Sequence, residues 1–174
     1  ERVAPNADPR DVVAEISAPT LGLLTAERTV LNLVCHLSGV ATATRAWADE
    51  LAGTNCAVRD TRKTMPGMRL LQKYAVRCGG GVNHRMGLGD AALVKDNHIA
   101  AAGSVAAALA AVHRHAPEVD CEVECDRLDQ VSEAIEAGAQ LVLLDNMSPD
   151  LMAQAVALAR PAGVRTEASG GLRL

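Results

Sequence analysis

Phenylalanine is absent from this sequence, and Trp47 and Tyr74 stand alone among the large aromatic residues. A core without rings must be filled by Ala, Val, Leu and Ile, which suits Ala-rich helices packed closely on a sheet. The five cysteines are odd in number and never form a C-x-x-C pair, which argues against a disulfide framework and a zinc ribbon. On a strand, Cys121 and Cys125 would stand roughly 13 Å apart and could not bond to each other. Buried free thiols in a reducing compartment are expected. No HExxH or Cys/His spacing supports zinc. No apolar run is long enough to cross a bilayer without interruption by charge. No signal-peptide pattern follows Glu1. A soluble, cytoplasmic protein without a membrane partner is therefore expected.

What is present is an apolar fraction of 49% with 22% charged residues, the balance of a globular chain rather than a disordered one. The net charge of −4 argues against nucleic acid as a partner. The cations are nonetheless unevenly spread. Arg59, Arg62, Lys63, Arg69, Lys73, Arg77, Arg85 and Lys95 crowd the middle of the chain. An acidic protein with one basic pocket suits a small polyanion.

Periodicity and turn residues divide the chain. Residues 1–20 read as the turn-rich remnant of an N-terminal α/β domain, with a strand expected over 12–16 among Pro5, Pro9 and Pro19. Residues 21–174 read as one further α/β domain. Leu24, Leu31, Val34, Leu37 and Val40 recur at helical spacing and predict a long helix over 21–51, ended by Gly53. Strands are expected over 56–60, 91–95, 121–125, 141–145 and 164–168, with helices over 67–78, 104–115, 128–137 and 149–160 between them. Gly79-Gly80-Gly81 reads as a helix end with a left-handed residue. Pro149 suits a first helical turn.

Strands alternating with helices through short links imply parallel strands with right-handed crossovers. An open doubly wound sheet should carry a glycine fingerprint after its first strand. That position here is Asp60-Thr61-Arg62-Lys63-Thr64, without glycine. An incomplete parallel α/β barrel is expected instead, because these strands are too few to close one and further segments belong outside the sequence.

Nearly every expected strand ends in charged or hydrogen-bonding residues: Asp60 to Lys63, Lys95 to His98, Glu122 to Glu124, Asp145-Asn146 and Glu167 to Ser169. Barrels keep their active sites at the C-terminal ends of their strands. Arg62, Lys63, Arg85 and Lys95 repel one another and call for an anionic ligand, carboxylate or phosphate. Glu124 and Asp145 suit ribose hydroxyls or Mg²⁺. Alternation places Glu122 and Glu124 on one face and Cys121, Val123 and Cys125 on the helix-covered face. His84 belongs in the pocket, His36 packs on the long helix, and His113 and His115 stand exposed near a helix C-terminus. Ser169-Gly170-Gly171 can hold phosphate with backbone N–H groups or form a simple turn.

The segments Thr61 to Gly67, Lys73 to Val76, Gly79 to Arg85, Leu93 to His98, Glu122 to Glu124, Leu144 to Asn146 and Glu167 to Gly171, with Leu24 to Thr29 before them, closely resemble the quinolinate phosphoribosyltransferase family. The resemblance runs from Gly22 onward. It implies the TIM-like barrel of type II phosphoribosyltransferases, set after a larger N-terminal α/β domain. It also implies a reaction in which quinolinate attacks the anomeric carbon of phosphoribosyl pyrophosphate, pyrophosphate leaves, and the 2-carboxylate departs as CO₂. Nicotinate mononucleotide, on the way to NAD, would result, with Mg²⁺ as cofactor carried by the donor.

By the same resemblance, Arg28, Arg62, His84, Arg85 and Lys95 would hold the quinolinate carboxylates. Lys63, Glu124 and Asp145 would act on the donor, Thr61 would line the pocket, and Ser169, Gly170 and Gly171 would meet the phosphates. Arg28 would come from the partner of a homodimer. The alternatives are a molybdenum-transport-associated paralogue with a different acceptor, a Schiff-base aldolase using Lys95 or Lys63, and a non-catalytic anion-binding module.

Overall fold

The computed structural model describes residues 12–174. Helix α1 (Thr20–Glu50) and α2 (Arg69–Cys78) come first. They are followed by β1 (Ala92–Val94), α3 (Asp96–Ala102), α4 (Val105–His115), β2 (Cys121–Cys125), α5 (Leu128–Glu136), β3 (Leu141–Asp145), α6 (Pro149–Ala159) and β4 (Arg165–Ser169). The strands are all parallel and stand in chain order, β1-β2-β3-β4.

Side-chain alternation splits the sheet into two unlike faces. On one, Val94, Val123, Cys125, Val142 and Leu144 form a continuous core with Val105, Ala108 and Leu109 of α4, Val131 and Ala134 of α5 and Ala155 of α6. Small alanines let these helices sit close to the strands. The other face carries Glu122, Glu124, Leu143, Asp145 and Glu167. A doubly wound sheet would reverse its strand order and place helices on both faces. Consecutive order with α4, α5 and α6 on one face is the arc of an α/β barrel, whose inner surface is the polar one.

Local signals explain the helix boundaries. Ser104 Oγ accepts from the Ala107 N–H at 3.1 Å and starts α4; Ser148 does the same for Leu151 at 3.3 Å, with Pro149 in the first turn of α6. Gly80 adopts the left-handed conformation at φ 93° and stops α2, as its glycine run implies.

Four expectations need correction. Residues 12–19 hold no regular structure, and Val12, Val13 and Ile16 are exposed; no neighbouring strand offers them a ladder, so their apolar pattern does not become a strand. The rest of the expected N-terminal remnant, with Pro5 and Pro9, lies outside the described residues. The strand expected over 56–60 is reduced to one parallel bridge, Arg59 with Val82. Helix α3 was read as a strand ending; the Lys95 N–H bonds His98 Nδ1 at 3.0 Å, and Gly103 at φ 92° closes the helix. Finally, only Cys125 is a fully buried thiol, pushed up to about 12 by burial, while Cys35, Cys56 and Cys78 are exposed. No helix of the described residues is long and apolar enough to cross a membrane.

Helices α1 and α2 meet through glycine. A Cβ on Gly79 would stand 2.4 Å from the Ala41 carbonyl oxygen and 2.6 Å from Thr44 Cβ. One on Gly81 would come within 2.8 Å of Thr44 Cγ2 and Val76 Cγ1. The expected outcome for Gly79→Ala in the full-length protein is a loss of about 1–3 kcal/mol by urea denaturation, because the helices must separate. Gly87→Ala, with no atom near its Cβ, is the control and should stay within about 0.5 kcal/mol of wild type.

Candidate functional site

The C-terminal edge of the sheet gathers Lys95 after β1, Glu124 in β2, Asp145 in β3 and Ser169 in β4. Register explains one pairing directly. Val94 lies opposite Val123, so Lys95 falls beside Glu124, and its Nζ reaches Glu124 Oε2 at 2.7 Å. Asp145 and Ser169 are register partners. Asn146 takes a left-handed φ of 53° and returns its side chain to Asp145 Oδ2 at 2.8 Å, while its N–H bonds the Ser169 carbonyl. Gly170 must be glycine here: its φ is 83°, and a Cβ would stand 2.2 Å from Asn146 Oδ1.

The loop after residue 60 supplies the cations. Arg69 of α2 holds it, donating to Thr64 Oγ1 at 3.1 Å, to the Arg62 carbonyl at 3.2 Å and to the Met86 carbonyl at 3.1 Å. The Lys63 N–H bonds Thr61 Oγ1 at 3.0 Å. Thr61, Lys63 and Thr64 line a cleft of about 180 Å³ with Asp60, Lys73 and Val40. A cleft of about 150 Å³ at the N-terminal ends of β2 and β3, beside Asp120 and Gln140, contains none of these residues.

Beneath the loop lies a buried network. Lys73 is 1% exposed; its ammonium pairs with Asp60 Oδ1 and donates to the His84 carbonyl at 2.9 Å. Asp60 also accepts from Asn83 Nδ2 and, at 2.8 Å, from the His84 N–H. The His84 ring has both nitrogens engaged. Its Nδ1 accepts from the Arg85 N–H at 2.7 Å, and its Nε2 meets Glu122 Oε2 at 2.9 Å. Burial, and then the nearby Glu167, push Glu122 above the usual carboxylate range, against the pull of His84 and Arg59. Glu167 pairs with Arg59 at 2.6 Å.

Arg85 donates to the Ala91 carbonyl at 2.6 Å. Its pKa is lowered, first by burial and then by the Arg62 charge. The Arg62 Nε is buried without a partner. Among the described residues, Arg62, Lys63 and Arg85 form no ion pair with a carboxylate. The site can therefore receive an anion at these positions, while Glu124 and Asp145 offer oxygens to a hydroxyl or a hard cation. His84, Glu122 and Glu167 also place ligand atoms within 4.8 Å of one another, but each is already bonded within the protein.

The structure joins the expected residues in groups: Lys95 with Glu124, Asp145 with Ser169 in register, His84 with Arg85 through the imidazole, and Thr61 with Lys63 in one cleft. Arg28 does not join them. It is exposed on α1, twelve residues before the cleft-lining Val40, or roughly 18 Å along the helix. The sequence sets Asp60 among the polar strand ends and Arg69 and Lys73 among the crowded cations, but gives no sign that these, with Asn83, form a hydrogen-bonded framework. Only its proximity to Asp60 in the fold shows that Lys73 is buried.

The family described as quinolinate phosphoribosyl transferase, C-terminal domain, matches residues 40–174. The nicotinate-nucleotide pyrophosphorylase (carboxylating) of Mycobacterium leprae is 57% identical over 162 residues, covering 91% of this chain and 57% of the relative. The Homo sapiens protein of the same name is 42% identical over 167 residues, covering 93% and 56%. The crystal structure of NadC from Streptococcus pyogenes superposes with a TM-score of 0.84 at 46% identity, covering 90% of this chain and 55% of that one. The chain spans a little over half the length of these relatives. With this match across the barrel strands and the cation-bearing loops, the chain belongs to the quinolinate phosphoribosyltransferase family.

Proposed function

We propose that this chain is the catalytic domain of a cytoplasmic quinolinate phosphoribosyltransferase, a carboxylating nicotinate-nucleotide diphosphorylase that serves NAD biosynthesis. The observation that supports the reading is the set of cations without an ion-pair partner among the described residues, Arg62, Lys63 and Arg85, with the orphaned Arg62 Nε among them. The Arg62 charge acts against that of Arg85, a repulsion that a dianion would relieve, and a pyridine dicarboxylate supplies one. The molybdenum-transport-associated alternative finds no support in the relatives, which carry the carboxylating pyrophosphorylase name.

Arg62, Arg85 and Lys95 hold the quinolinate carboxylates, with His84 behind Arg85. The ring nitrogen is then presented to the anomeric carbon of phosphoribosyl pyrophosphate. Glu124 and Asp145 stabilise the positive charge that develops on the sugar as the bond to pyrophosphate breaks. Lys63 receives the charge of the leaving pyrophosphate, and the Ser169 to Gly171 turn meets the donor's phosphate. Lys95, paired with Glu124, links the two halves of the site. After the bond to ribose forms, the pyridinium accepts the electron pair released when the 2-carboxylate leaves as CO₂. Glu124 and Asp145 each retain a second carboxylate oxygen, a donor set that fits Mg²⁺ arriving with the donor. When bound, Mg²⁺ would supply neutralisation of pyrophosphate charge.

Arg28 acts from the partner of a homodimer. In its own chain it is remote from the cleft, and α1 around it exposes Leu21, Leu24, Leu31 and Val34, a surface suited to cover by a second copy.

Three outcomes follow for the full-length protein. Arg85→Ala should weaken quinolinate binding by about 1.5–3 kcal/mol, the value of a lost charged hydrogen bond, and leave donor affinity nearly unchanged in calorimetric titration. Equal losses for both substrates would contradict the assignment. Glu124→Gln should still bind quinolinate but lose kcat on the order of a hundredfold, since an interaction made in the transition state is removed; unchanged turnover would make Glu124 structural. Lastly, mixing inactive Arg28→Ala and Glu124→Ala variants should restore roughly a quarter of wild-type sites after subunit exchange, because half the dimers are mixed and each has one intact site. Activity that stays at the level of the separate variants would place Arg28 outside the partner's site.

A further inference from the structure

We propose that Glu122 is a positioning residue for the anion-binding cations, acting through the His84 ring on Arg85; this rests on the function proposed above. Glu122 is 3% exposed and lies two residues before Glu124 on the inner face of β2, a full layer of roughly 6.6 Å below the edge. Its register neighbours are Leu93 and Leu141. A leucine would fill such a position without the cost of burying a charge. Packing does not explain the carboxylate, and one of its oxygens, Oε1, is buried without a partner.

What the carboxylate does is fix a tautomer. The Arg85 N–H donates to His84 Nδ1, so the ring proton must stand on Nε2, and Glu122 Oε2 is the acceptor for it. The hydrogen bond made by one ring nitrogen sets the state of the other. The rest of residue 84 is already pinned, its N–H by Asp60 and its carbonyl by Lys73. Only the ring could turn, and Glu122 prevents it. With that acceptor lost, a proton on Nδ1 would face the Arg85 N–H and displace the backbone that aims the Arg85 guanidinium toward Arg62. Arg59, paired with Glu167, limits the repulsion between the two carboxylates.

A metal centre at His84, Glu122 and Glu167 is the competing use of these atoms. It is disfavoured because the Arg59 guanidinium already occupies Glu167 Oε2 and would repel a cation.

The test uses the full-length enzyme. Glu122→Leu should raise the KM for quinolinate about tenfold or more, with the KM for the donor within about threefold. Glu122→Gln retains an acceptor oxygen for the Nε2–H and should recover quinolinate KM to within about threefold of wild type. Losses shared equally between both substrates, or no rescue by glutamine, would overturn the proposal. Nitrogen-15 NMR of His84 tests it even if the leucine variant does not fold. The wild-type ring must be the neutral Nε2–H tautomer, and an imidazolium or the Nδ1–H form at neutral pH overturns the idea. Stoichiometric Mn²⁺ or Zn²⁺ binding that Glu122→Gln abolishes would also overturn it in favour of a metal site. Failure of the wild-type enzyme to bind quinolinate would refute the proposed function, whereas the His84 tautomer would still report on the Glu122 contact.

Discussion

The buried pair of Lys73 and Asp60 is the interaction on which the site is built. Lys73 comes from α2, Asp60 from the end of the first barrel segment, and both are withdrawn from water. Such a pair is tolerable only when its remaining valences are used, and here they are: Asp60 also receives Asn83 and the His84 N–H, and Lys73 also reaches the His84 carbonyl. Removing either partner would leave an uncompensated buried charge, at a cost of about 3–5 kcal/mol. The pair therefore locks the loop of cations after residue 60 to the segment carrying His84 and Arg85.

Around that pair the inner surface of the barrel arc is ordered by depth. The lower layer pairs its charges internally, with Arg59 on Glu167 and His84 on Glu122, although Glu122 Oε1 has no partner. The upper layer does so only in part. Lys95 and Glu124 pair at the rim, but among the described residues Arg62, Lys63 and Arg85 form no ion pair with a carboxylate. A protein of net charge −4 thus holds cations close together here, the Arg62 charge acting on Arg85 against those of Glu122 and Asp90.

Much of the fold was legible because its signals are local. The strands at 121–125 and 141–145 match β2 and β3 residue for residue, and the alternation of Glu122, Val123, Glu124 and Cys125 correctly assigned the two faces. Pro149 marked the start of α6. The two strand failures share one cause. Residues 12–16 have strand composition and no ladder to join; 56–60 has a ladder on one side only and condenses to a single bridge. Composition describes what a segment prefers, whereas a strand exists only if another strand stands beside it.

The same boundary runs through the site. The sequence by itself determined the β/α alternation, the concentration of cations, the polar strand ends and the family motifs, because each is a pattern within a short window. It could not show that Lys73 is buried, that both His84 nitrogens are occupied, or that Arg62 lacks a partner while Arg59 has one. Those facts depend on residues far apart in the chain; Arg59 and Glu167 are separated by 108 positions. Whether a charge is compensated or available to a ligand is decided by what the closing sheet brings within about 3 Å of it, a distance set only by tertiary structure.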